Sequence, residues 1–190
     1  AYNEAAVIRD KLFNIASLDY QSDLLSVLIY CDGCTDHTVD EINAVLADPI
    51  CGHLHVNVIE KDQNQGKVHA INDAVALSSS DYVVLTDASA LMSVDALRLM
   101  ADYFANPNIG VVSATYKMLS TAPESERAYW RYQVDIKRRE AYLGAPLGVH
   151  GACYGFRRSL YRAMPLDTIN DDFILPLSIL SQGYKIIYAE

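Results

Sequence analysis

A chain of 190 residues with 51% hydrophobic content can bury about two thirds of the surface its unfolded form exposes, enough for one self-sufficient core. Its 15 Lys and Arg stand against 24 Asp and Glu, and the resulting net charge of -9 argues against a nucleic-acid footprint or a face for anionic membranes. No run approaches 18 consecutive apolar residues, and no charged segment followed by an apolar one opens the chain, so neither a transmembrane helix nor a signal peptide is predicted.

Along the chain, strand and helix periodicities alternate. The opening Ala1-Tyr2-Asn3-Glu4 reads as the loop after a strand, which predicts an excised piece of a longer protein. Val7, Ile8, Leu12 and Ile15 trace a helical face, and residues 24–30 form a nearly continuous apolar run suited to a strand buried on both sides. Asp32 follows it, and Asp36 or Thr38 can cap the next helix, whose face is Val39, Ile42 and Leu46. Residues 55–60 alternate as a strand. A loop with Asn64-Gln65-Gly66-Lys67 then leads into a helix with Ile71, Ala74 and Val75 inward, and residues 81–86 form a strand that runs into Asp87.

Val94, Leu97, Ala101 and Phe104 recur at helical spacing until Asn106-Pro107 stops them. Residues 110–118 are strand-like, and 124–143 form a long amphipathic helix rich in Arg, Lys, Tyr and Trp, including Arg138. This helix suits either a membrane or domain interface or ordinary packing. Short strands follow at 152–156 and 185–188, separated by a helix over 171–180 whose Pro176 is tolerable near the first turn. The order predicts one layered α/β domain.

The four cysteines, Cys31, Cys34, Cys51 and Cys153, show no pairing framework and read as reduced thiols. Cys31-Asp32-Gly33-Cys34 has redox spacing, yet its Asp-Gly serves a turn equally well. The dinucleotide fingerprint is missing. Gly66-Lys67 is followed by Val68 where a phosphate loop needs Ser or Thr. Acidic residues nevertheless end apolar runs at Asp32 and Asp87, with Asp171-Asp172 near the far end, and open α/β sheets bind ligands at the carboxyl ends of their strands.

Tyr2-Asn3-Glu4, Asp32-Gly33-Cys34-Thr35-Asp36, Gly66-Lys67 with Asn72, Asp87-Ala88-Ser89, Gly151-Ala152 through Arg157-Arg158, and Asp171-Asp172 stand in the order seen in inverting glycosyltransferases of family 2. The chain resembles that family over essentially its whole length, and its last part resembles bacterial polysaccharide-synthase-like catalytic domains. The resemblance implies a GT-A-like fold, an open twisted and mainly parallel sheet flanked by helices. It also implies transfer of a sugar from a nucleotide sugar, usually a uridine diphosphate sugar, to a carbohydrate acceptor.

By the same resemblance, donor-binding residues are Tyr2, Asn3, Glu4, Asp32, Gly66, Lys67, Asp87, Arg157 and Arg158. Asp32 matches the acid that contacts the base or ribose, although an Asp that starts a Gly-containing turn is its plain alternative. Asp87 matches the first acid of an Asp-any-Asp signature that approaches ribose and a divalent Mn or Mg ion; the second position is Ser89, a poorer ligand, which weakens the metal expectation. Lys67 offers a mobile charge, and one of Arg157 and Arg158 is expected at phosphate. Asp172 matches the general base, with Asp171 beside it, while two acids in a helix's first turn also suit its macrodipole. The resemblance implies a cytoplasmic location, with membrane attachment of the parent protein through segments outside this sequence. The alternatives are a sugar-phosphate nucleotidyltransferase and an inactive nucleotide- or carbohydrate-binding module.

Overall fold

The computed structural model describes residues 1–117, 123–142, 146 and 148–189. They form two compact units that share the chain in an interleaved way. The first takes Ala1–Ser80 and Asp87–Arg98, the second Asp81–Thr86 and Leu99–Glu190.

In the first unit, helix α1 (Ile8–Ala16) buries Ile8, Leu12 and Ile15 of the predicted stripe together with Lys11, while Val7 stands at the N-cap and is only partly buried. Strand β1 (Ser26–Asp32) starts two residues later than the apolar run suggests, because Leu24 sits in a 3-10 turn and is exposed. Asp32 is therefore the last residue of the strand. Strand β2 (His55–Lys61) pairs with β1 in parallel, from Ser26 opposite His55 to Asp32 opposite Lys61. Helices α2 (Thr38–Leu46) and α3 (Lys67–Leu77) bury Ile42 and Val45, and Val68, Ile71 and Val75. The core gathers Leu12, Ile29, Cys31, Ile42, Val45 and Cys51.

The second unit holds a four-stranded sheet in the order β3-β5-β4-β6: β3 (Tyr82–Thr86), β5 (Cys153–Arg157), β4 (Ile109–Ser113) and β6 (Lys185–Tyr188). Strands β4 and β6 are parallel, whereas β5 runs antiparallel to both of its neighbours. All five residues of β4 and the first four of β5 are buried, which is why these runs carry no polar alternation. Strand β4 ends at Ser113, short of the expected 118, and Met118 lies outside the described residues. Helix α4 (Ala96–Phe104) excludes Val94, which is exposed. Helix α5 (Glu124–Tyr142) matches the expected long helix; Leu143 and the side chain of Arg138 lie outside the description. Among the described residues no helix is long and apolar enough to cross a membrane.

Helix α6 (Asp171–Leu180) carries Pro176 at its sixth position, beyond the first turn where the sequence reading placed a tolerable proline. A proline there has no N–H for the carbonyl four residues earlier, that of Asp172. Val149 supplies the donor instead, at 2.9 Å. The helix thus keeps its proline because a neighbouring loop satisfies the carbonyl left over.

Candidate active site

The first unit assembles its polar groups around the carboxyl end of β1. The Asp32 side chain is 4% exposed and accepts three hydrogen bonds from backbone N–H groups. Gln65 N–H reaches Oδ1 at 3.0 Å and Oδ2 at 3.1 Å, and Gly66 N–H reaches Oδ2 at 2.8 Å. The carboxylate therefore fixes the loop that opens α3 and carries Lys67. Four lone-pair sites on a carboxylate leave capacity for a further donor. Gly33, at φ +69, makes this approach possible, since a Cβ there would stand 2.3 Å from Asn64 N.

Asn3, itself in the left-handed region at φ 57, ties the opening segment to the same turn. Its Oδ1 accepts from Thr35 N–H at 2.8 Å and from Asp36 N–H at 3.3 Å. Glu4 N–H donates to Thr38 Oγ1 at 2.8 Å, and Asp36 Oδ1 accepts from Thr38 N–H at 3.0 Å; the N-cap of α2 is His37 rather than Asp36 or Thr38, and Asp36 meets the first helical N–H from just outside the helix. The Thr38 hydroxyl bonded to Asp36 holds that carboxyl below the usual range. Tyr2 is half exposed.

Asp87 lies just past β3 and pairs with Lys67 at 3.8 Å, both side chains about half exposed. Ser89 is exposed beside it. Among the described residues no group of three or more His, Cys, Asp or Glu could hold a metal ion. A divalent cation here would have one carboxylate and one hydroxyl from the protein, so it fits only if a bound diphosphate supplies most of its oxygen ligands.

In the second unit, Asp171 and Asp172 occupy the first turn of α6, where the helix dipole favours negative charge. Asp171 is 6% exposed. Burial and the charges of Asp171 and Asp172 push the Tyr154 hydroxyl far up, and burial with Asp171 pushes Tyr161 up to about 12. The Asp172 carboxylate rests against Gly151, where an added Cβ would meet Oδ2 at 2.8 Å.

Arg157 departs from the expected phosphate contact. Its Nε donates to Ile109 O at 2.8 Å, and its Nη2 to Phe104 O at 2.7 Å and Asn106 O at 3.0 Å. The guanidinium also lies over the Tyr82 and Phe104 rings, 5.3 and 5.7 Å from their centroids. It caps the end of α4 and anchors β5, a structural role. Arg158 donates its backbone N–H to Asp81 O at 2.9 Å as it opens a 3-10 turn.

The α/β arrangement of strands flanked by helices matches the fold of a GT-A-type glycosyltransferase. The chain belongs to glycosyl transferase family 2, whose model matches residues 1–164. Among curated proteins it is similar to the poly-beta-1,6-N-acetyl-D-glucosamine synthase of Staphylococcus aureus strain COL, at 25% identity over 195 residues, covering 98% of this chain and 46% of that protein. The chain spans about half the length of the curated relatives it matches. Among solved structures it superposes on the mannosyltransferase PcManGT of Pyrobaculum calidifontis, in complex with GDP-Man and Mn2+, with TM-score 0.86 and 30% identity over 99% of this chain and 52% of that one. S. aureus TarS in complex with UDP-GlcNAc shares the fold, with TM-score 0.72 at 16% identity over 100% and 54% of the two chains.

Proposed function

We propose that the chain catalyses inverting transfer of a sugar from a nucleoside diphosphate sugar to a carbohydrate hydroxyl. The observation that carries this reading is the Asp32 bracket: a buried carboxylate at a strand end that fixes the loop of Lys67, whose ammonium meets Asp87. In the proposal, the remaining lone pairs of Asp32 accept from the base or ribose, Tyr2 packs on the base, and Asn3 and Glu4 hold the turn. Lys67 and Arg158 meet the phosphates. Asp87, with Ser89 as a weak partner, faces ribose and a Mn or Mg ion, which would neutralise charge on the leaving diphosphate. Asp172 takes the proton of the acceptor hydroxyl as its oxygen bonds to the anomeric carbon. The bond from that carbon to the diphosphate breaks on the opposite side, the configuration inverts, and the nucleoside diphosphate leaves. Asp171 orients the helix terminus.

The family pattern favours a uridine donor, while the mannosyltransferase at 30% identity is solved with GDP-Man. Calorimetric titration with uridine, guanosine and adenosine diphosphates, with and without manganese, decides between them. The expected result is preference for the uridine nucleotide and tighter binding with the cation; equal, metal-insensitive binding of all three would sink the reading. All four cysteines are free thiols, which supports a reducing compartment and a cytoplasmic location. Family membership favours this reading over a nucleotidyltransferase or an inactive module.

A further inference from the structure

The segment from Asp87 to Ser93 contains no regular element, yet its exposure alternates strictly: Asp87, Ser89, Leu91 and Ser93 are exposed, and Ala88, Ala90 and Met92 are partly buried. Ala88 and Met92 pack against the core of the first unit. Residues 87–90 close as a turn, with Ala90 N–H donating to Asp87 O at 3.2 Å, and the stretch that follows keeps the alternation of a segment with one face buried. Among the described residues no strand pairs with it. Its backbone groups are met by α1: the Lys11 ammonium donates to Ala90 O, Asn14 Nδ2 donates to Met92 O at 2.9 Å, and Met92 N–H donates to Asn14 Oδ1 at 2.8 Å. Two residues on, Asp19 N–H donates to Val94 O at 2.7 Å. The bonded positions are thus 90, 92 and 94, two residues apart.

Lys11 is 3% exposed, and a buried ammonium is expensive unless hydrogen-bonded, so its place on the inward face of α1 has a specific use. A shift of one residue in an extended segment exchanges its two faces. Here a shift at residues 90–94 would turn Leu91 and Ser93 towards the core and carry the Asp87–Ala90 turn with it. We infer that Asn14 and Lys11 are positioning residues that set the register of this segment and so keep Asp87 and Ser89 on its exposed side. The inference rests on the proposed nucleotide site and goes beyond it, since neither residue touches the nucleotide.

The test uses the full chain and compares affinities for a nucleoside diphosphate and the matching monophosphate, each with and without manganese, in the wild type, Asn14→Ala and Asn14→Asp. Loss of two hydrogen bonds that fix register should weaken manganese-dependent diphosphate binding by roughly tenfold in Asn14→Ala. Monophosphate affinity, which depends on the Asp32 side, should stay within about twofold. Asn14→Asp keeps the acceptor for Met92 N–H and should recover part of the loss. Circular dichroism and melting confirm that the compared proteins are folded; if Asn14→Ala is not, the same comparison is read from Lys11→Met. A folded variant whose diphosphate and monophosphate affinities fall together, or do not change, overturns the inference. A wild type that binds neither nucleotide overturns the proposed function instead, and the inference with it.

Discussion

At the scale of single residues, the Asp172 carboxylate rests on the one residue type that leaves it room. Gly151 contributes no Cβ, and any that it carried would fall 2.8 Å from Asp172 Oδ2. Gly151→Ala should therefore displace the carboxylate and lower turnover about tenfold with donor affinity held, whereas Asp172→Asn should lower it about a hundredfold or more by removing the base. Product formation by chromatography beside donor calorimetry checks both, and a folded Asp172→Asn enzyme with near-normal turnover would make Asp171 the next candidate. Asp32 and Asp87 were legible in the sequence because they end apolar runs, and Asp171 and Asp172 through their place in the family's order of motifs. What they touch was not: only the folded chain shows that Asp32 is occupied by the N–H groups of residues 65 and 66, or that Arg157 is consumed by three carbonyls. Lys11 does show in the sequence, as a charge three residues after Ile8 on an otherwise apolar helical stripe.

At the scale of elements, α6 depends on a proline that looks out of place. Pro176→Ala returns an N–H to the helix and offers the Asp172 carbonyl a partner four residues on, in competition with Val149. The helix should gain up to about 3 kcal/mol of intrinsic preference. The tether to residue 149 should loosen. Hydrogen exchange would then show faster exchange at Val149 and slower exchange within α6; unchanged exchange at Val149 would mean that the tether does not depend on the proline. The elements were largely readable, since each helix has an apolar face and each strand a compact apolar run. The direction of β5 was not readable, because local periodicity reports that a run is extended and says nothing of which neighbour it joins or which way it runs. The segment at 87–93 also escaped, because its pairing partner is a set of side chains on a helix rather than another strand.

At the scale of the whole molecule, several tyrosines hold their protons tightly. Burial and then Asp73 push Tyr30 up to about 12 from its ordinary 10.0, burial does the same for Tyr161, and for Tyr188 burial is again the largest cause. Values raised above those of the unfolded chain mean that their stabilisation is complete below pH 10 and is lost as the pH climbs towards 12. Denaturant midpoints should hold level up to about pH 10 and then fall, in step with tyrosinate absorbance that appears late. A midpoint already falling well below pH 10 would show that other groups govern the alkaline limit.

The interleaving of the chain has a consequence for the order in which it can fold. Strand β3 belongs to the second unit, but among the described residues its only strand partner is β5, and Arg157 reaches Tyr82 across 75 residues of sequence. Closing so long a loop precedes any reward from the contacts made, which slows the step. During synthesis, β3 emerges long before β5 and must wait as an unpaired strand between two stretches of the first unit. The pairing of β1 with β2, made within the opening third of the chain, has no such delay.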